Sequence, residues 1–332
     1  MKRDMKRVVK RAFATVAIMV PLLAAGAALE SAVAADKVIV AMGKTSSNLP
    51  YYVAAARGFF TELGIEPEQK IIIDNSLVVT ALIADQAEAA ASVLAIDGMN
   101  ANIKKPGAVN WITLNAQNDP HKMEQFVIRT GFKATTIADL KGARIACAPG
   151  LGNISMAKAA LAKAGLAEGD YKLDPMDPNQ HINVLQSGQY DAAYTLEPGA
   201  TIMRKAGVAT TLQAGVIAQV VLGDPKADAY VGGAVVTGTF AKNRPEVAKR
   251  YAEAWGKAIK FIHDNPDEAR KYLVNNTPIP ENIVAEVPIV LFTYAADATD
   301  KDKANLQAYL DYAVNMGALS EKVSVAQYIK AY

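Results

Sequence analysis

Residues 140–166 read as a strand, a glycine-rich loop and a helix in direct succession, an order that ties the chain to an α/β architecture. Residues 144–148 are a short, mostly apolar run, long enough for a buried strand and too short for a helix. Pro149, Gly150 and Gly152 interrupt it. Asn153 or Ser155 supplies an N-cap, Met156, Ala159, Ala160 and Leu161 repeat at helical spacing, and Gly165 gives a stop. Free amides at such a helix start carry partial positive charge and suit an anion or a carbonyl-bearing ligand. Gly150, Gly152, Asn153 and Ser155 are therefore candidate ligand contacts. An ordinary βα turn reads the same way.

The same unit recurs upstream. Residues 37–42 predict an apolar strand, 43–48 a polar loop and 49–60 a helix. Strands are expected at 70–73, 90–95 and 111–114, with helices at 77–84 and 97–103. This repetition predicts a largely parallel sheet, with ligands held at the loops beyond the carboxyl ends of its strands. Those loops are 44–48, 95–97 and 115–118. After a strand at 124–129 the pattern restarts with residues 144–166. Asp177-Pro178 opens another helix, and a strand at 191–196 precedes Glu197-Pro198-Gly199. A second lobe, 129–230, is thus expected between the two parts of a first lobe, 35–128 and 231–332. Residues 231–240 read as the return strand. Asn243-Arg244-Pro245 then opens a long amphipathic helix with Val247, Tyr251, Trp255, Ala258 and Ile262 as its buried stripe.

The first residues bear on compartment. Six basic residues lie within the first eleven, an apolar run follows to Leu29, and Ala32-Val33-Ala34 offers a small-x-small cleavage site. This predicts a secretory signal peptide over 1–34 and a periplasmic destination. Its removal takes six of the 35 basic and two of the 33 acidic residues (Asp4 and Glu30), leaving 29 against 31. No basic stripe remains to suggest nucleic acid. His121, His181 and His263 sit in no metal-ligand spacing, so no metal and no cofactor is expected. No nucleophile-elbow serine is present, and Cys147, the single cysteine, lies between two alanines inside an expected strand, so no enzyme activity is expected.

Four segments, in order, resemble the periplasmic substrate-binding proteins of ABC importers, in the nitrate/sulfonate/taurine and thiamine-precursor (SsuA/THI5-like) branch. They are Leu49-Pro50-Tyr51-Tyr52 through Phe60 with Gly64-Ile65-Glu66; Asp139-Leu140-Lys141-Gly142-Ala143-Arg144-Ile145-Ala146 with Gly165-Leu166; Leu185-Gln186-Ser187-Gly188-Gln189-Tyr190-Asp191 running on to Glu197-Pro198; and Phe240 through Val247. The resemblance implies a two-lobed periplasmic-binding-protein (type II) fold, each lobe a sheet flanked by helices, with two hinge crossings and a ligand closed between them. It implies that Asp97, Asn115, Tyr194 and Glu197 line the cleft with Ser46, Ser47 and Asn48. Ser46, Asn48 and Asp97 would serve equally as helix caps, and Glu197 as a solvated helix-start charge. The implied partners are a small-molecule ligand, an inner-membrane ABC permease and its ATPase, met by a monomer. The expected ligand is a small organic anion or zwitterion such as a sulfonate, taurine or carboxylate. A neutral heterocycle of the thiamine-pyrimidine type is the alternative. A desulfinase-like enzyme using Cys147, or a ligand-sensing domain, is the alternative of another class.

Overall fold

A computed structural model describes residues 35–332; the expected leader lies outside them. The strands are β1 (Asp36–Met42), β2 (Ile65–Ile71), β3 (Ala89–Leu94), β4 (Val109–Trp111), β5 (Thr113–Gln117), β6 (Glu124–Arg129), β7 (Arg144–Cys147), β8 (Lys172–Pro175), β9 (Ala192–Leu196), β10 (Ala209–Gln213), β11 (Ala229–Thr237) and β12 (Leu291–Tyr294). They form two sheets flanked by helices. The first has the order β12-β5-β11-β3-β1-β2, with β4 also on β11, and the second β10-β6-β9-β7-β8.

The first sheet is mixed rather than largely parallel. β1 pairs in parallel with β2 and β3, but β11 runs antiparallel to β3, β4 and β5, and β12 antiparallel to β5. The cause is the excursion into the second sheet: β11 returns from it and enters the first sheet from the opposite end. Close packing at that entry needs glycine. A Cβ on Gly232 would lie 2.1 Å from the Val93 carbonyl oxygen, and one on Gly233 2.0 Å from that of Thr113.

Two segments, 118–123 and 214–228, connect the sheets. The expected boundary at 128/129 falls late, because β6 is hydrogen-bonded to β9 and β10 of the second sheet. The crossings are tied to each other: the Asp119 amide donates to the Pro225 carbonyl at 2.7 Å and Asn118 Nδ2 to Asp228 Oδ1 at 2.9 Å.

The helix Pro245–Asp264 buries the expected stripe of Val247, Tyr251, Trp255, Ala258 and Ile262 against the first sheet's outer face. Tyr251 stacks on Phe60 at 5.4 Å between ring centroids, and burial of such rings contributes roughly 2–3 kcal/mol each. Arg244 fixes the start of that helix to the sheet, donating to the Lys37 carbonyl, Glu88 and Asp36. The helix expected over 49–60 breaks at Gly58 into Leu49–Ala56 and Phe59–Glu62.

Candidate functional site

The carboxyl ends of β1 and β3 face those of β7 and β9, and a cleft runs between them. Its inner chamber has a cavity volume of about 60 Å³ and its outer chamber about 530 Å³. Gly43, Thr45, Ile73, Asn153 and Leu196 line both, so the two are continuous.

Four of the expected residues line the inner chamber: Ser47, Asn48, Asn115 and Asn153. Asn48 is buried at the start of the helix Leu49–Ala56, where its Nδ2 donates to the Gly43 carbonyl at 2.6 Å and holds the polar loop closed. Ser47 shares a hydrogen bond with Thr45 at 2.8 Å. Asn153 reaches the chamber from the second sheet's side, with its Nδ2 donating to the Pro149 carbonyl at 2.8 Å.

The helix start at 150–155 is built differently from expectation. The helix is Leu151–Lys163, and its N-cap is Gly150, whose φ of 101° suits a residue without Cβ, rather than Asn153 or Ser155. The Gly152 amide is already taken: it donates to Asp97 Oδ2 at 3.3 Å, across the cleft. Asp97 also accepts from Ser76 Oγ at 3.2 Å. Burial pushes its carboxyl up to about 6, against the pull of those bonds. Asp97 is therefore a latch between the two halves and does not line either chamber. Gly150, Gly152 and Ser155 do not line them either. A carboxylate from within the chain thus meets the dipole of this helix at the Gly152 amide.

Of three further expected residues, two, Ser46 and Tyr194, lie away from both chambers and one, Glu197, lines the outer chamber. Ser46 is buried, with its amide and Oγ both bonded to the Glu197 carbonyl and its Oγ also to Met123 Sδ. It joins the halves beside the cleft and does not line it. Tyr194 lies wholly in the core, 5.0 Å from Phe126, because β9 is buried on both faces. Glu197 lines the outer chamber, yet its side chain is fully buried and both oxygens are engaged: Oε1 accepts from Gln125 Nε2 at 2.8 Å and from Arg204 at 3.2 Å, Oε2 from the Thr201 amide at 3.0 Å. It fixes the corner between β9 and the next helix.

Sequence reasoning reached Gln117 only as part of the loop 115–118 and missed Glu124; the two close the inner chamber where β5 ends and β6 begins. Gln117 Oε1 accepts from the Glu124 amide at 3.0 Å, which fixes the orientation of that side-chain amide. Glu124 is 3% exposed, and burial pushes its carboxyl up to about 7. Among the described residues it is the one ionisable side chain of the inner chamber, while Lys44 and Asp177 line the outer one. Cys147 lines neither chamber. It is fully buried and its thiol is pushed up to about 12, the reverse of an activated nucleophile. His121, His181 and His263 each hold a structural hydrogen bond, to the Ile289 carbonyl, Thr195 Oγ1 and the Phe292 carbonyl.

Compared with known families, residues 45–269 match the one described as NMT1/THI5 like. The chain belongs to the NMT1/THI5-like family. Among solved structures, it is similar to the alkanesulfonate-binding protein SsuA from Xanthomonas axonopodis pv. citri bound to MOPS, at 18% identity and a TM-score of 0.70, over 90% of this chain and 99% of that one. It is also similar to the periplasmic nitrate-binding protein NrtA from Synechocystis PCC 6803, at 15% identity and a TM-score of 0.69, over 88% of this chain and 84% of that one. The desulfurization enzyme DszB shares the fold too, at 16% identity and a TM-score of 0.65, over 88% of this chain and 96% of that one. No curated protein sequence matches. At these identities the likeness shows the two-lobed fold. This NMT1/THI5-like chain carries that fold with its cleft lined by polar side chains from both halves. No helix among its described residues is long and apolar enough to cross a membrane.

Proposed function

We propose that this protein is the periplasmic solute-binding component of an ABC importer, which captures a small organic solute between its two sheets and hands it to an inner-membrane permease. The observation that carries the reading is the cleft itself. It is a chamber closed by side chains from both halves, beside two crossings of the kind that let lobes open and shut. Closure is favoured only by contacts the solute makes in the shut form. The likeness to sulfonate- and nitrate-binding periplasmic proteins supports the same role. A zwitterion fits better than a bare anion. Among the described residues the inner chamber holds a carboxyl and no lysine or arginine, while Lys44 stands in the outer one.

The test is a melting-temperature screen against sulfonates, carboxylates, nitrate, amino acids and pyrimidines, with each hit incubated and assayed for chemical change. A saturable rise of several degrees without turnover supports the reading. A panel in which nothing shifts the melting point, or a hit that is consumed, overturns it.

A further inference from the structure

Three polar residues around the inner chamber each keep one side-chain atom without a hydrogen-bond partner: Asn48 Oδ1, Gln117 Nε2 and Glu124 Oε2. None is exposed by more than 3%. Such atoms are costly to leave unmade, and three around one chamber mark a place where something else completes them. Their chemistry is defined by the bonds they do make. Asn48 gives its Nδ2 to Gly43, so the free atom is an acceptor. Gln117 receives the Glu124 amide on Oε1, so its free atom is a donor. Glu124 Oε2 is an acceptor when ionised. The rest of the wall mixes apolar side chains, including Ile72, Val78, Leu94 and Val231, with the polar Thr45, Ser47, Ser92, Asn115 and Asn153.

We propose that Asn48, Gln117 and Glu124 form the specificity end of the cleft and read a nitrogen-bearing group of the solute. Its N–H donors go to Glu124 and Asn48, and an adjoining acceptor goes to Gln117. An oxoanion placed against these three unpartnered atoms meets two acceptors, one of them a carboxylate, and a single donor. A sulfonate or carboxylate end is therefore directed outward, toward Lys44. The inference rests on the solute-binding reading and adds which end of the solute goes in first.

The experiment uses matched probes that differ in the nitrogen: 2-aminoethanesulfonate against ethanesulfonate, and benzamide against benzoate, titrated by calorimetry. Tighter binding of the N–H member by about tenfold or more in at least one pair is expected, because a site built around hydrogen bonds rejects the analogue that lacks them. Glu124→Gln is expected to shrink that preference to about threefold or less, with the ligand-free melting point kept or raised. Equal or tighter binding of the nitrogen-free members overturns the inference while leaving solute capture intact. So does a preference that survives Glu124→Gln. Silence of all four probes overturns it as well, and touches the solute-binding reading only if the wider screen is also silent.

Discussion

Gly152→Ala separates closure from folding. A Cβ placed on Gly152 would lie 2.9 Å from Leu94 Cδ1 and 3.0 Å from Asp97 Oδ2. Both neighbours belong to the first sheet's half, whereas Gly152 sits in the helix Leu151–Lys163 of the second. The backbone there is helical, so alanine itself is unstrained and gains up to about 1 kcal/mol of helix propensity. The clash arises only where the halves meet, and overpacking of this kind costs about 1–3 kcal/mol. That cost falls on the closed arrangement. The affinity for a solute identified by the melting screen should drop by roughly 5- to 150-fold, since about 1.4 kcal/mol corresponds to a factor of ten. The ligand-free melting temperature should move by no more than a few degrees. Calorimetric titration and thermal denaturation of the same preparations measure both. An affinity within twofold of the parent would refute the reasoning, as would a large loss of melting temperature with binding unchanged.

Other consequences follow from the buried carboxyls. The raised carboxyl of Asp97 means that the folded chain holds that proton more tightly than the unfolded one. The group's destabilising contribution is full above about pH 6 and is relieved as pH falls toward 3.8. Urea denaturation of Asp97→Asn at pH 5 and pH 7.5 should show a weaker pH dependence than the parent; an identical slope would count against the latch being ionised. Glu124 carries the same sign over a higher range, from the unperturbed 4.5 to about 7. Ligand-free Glu124→Gln at pH 8 should be more stable by up to about 3 kcal/mol, with the gain vanishing near pH 4.5; destabilisation at pH 8 would contradict this. Glu197→Ala strips the partners from Gln125, Arg204 and the Thr201 amide, and should cost about 2–4 kcal/mol in urea denaturation. A cost below about 0.5 kcal/mol would show that the corner does not depend on that carboxylate.

What the sequence discloses follows from how local its causes are. The stripe on Pro245–Asp264 and the aspartate cap of Pro178–Gln186, where Asp177 accepts the Asn179 amide at 2.9 Å, depend on neighbours along the chain and were legible. β2 was placed too late because Ile65–Ile71 is a polar edge strand paired on one side, with no alternation to betray it. β8 and β12 are four residues each and carry no periodic signal. At the site, Ser47, Asn48, Asn115 and Asn153 were found because loops beyond strand ends can be located from strand ends alone. Asp97 was misjudged because its partner, Gly152, is 55 residues away. Glu124 was missed because a charged residue opening a strand usually faces water. What covers it arrives from β9 and the helix Asp300–Asn315, whose Tyr194 and Tyr309 both feel its charge.

Whether the halves move on a solute is the central question, and the chain is well suited to measuring it. Cys147 is the single cysteine, fully buried and with a raised thiol, so labels attach to introduced cysteines. Glu66, near the start of β2, and Lys133, after the end of β6, are exposed at the sheet ends remote from the cleft, one in each half. Spin labels at Glu66→Cys and Lys133→Cys, read by pulsed dipolar spectroscopy, report the distance between them. The account predicts that a solute from the melting screen collapses the distribution onto a shorter, narrower one. A distribution that is the same with and without saturating solute would contradict a clamshell that closes on its cargo.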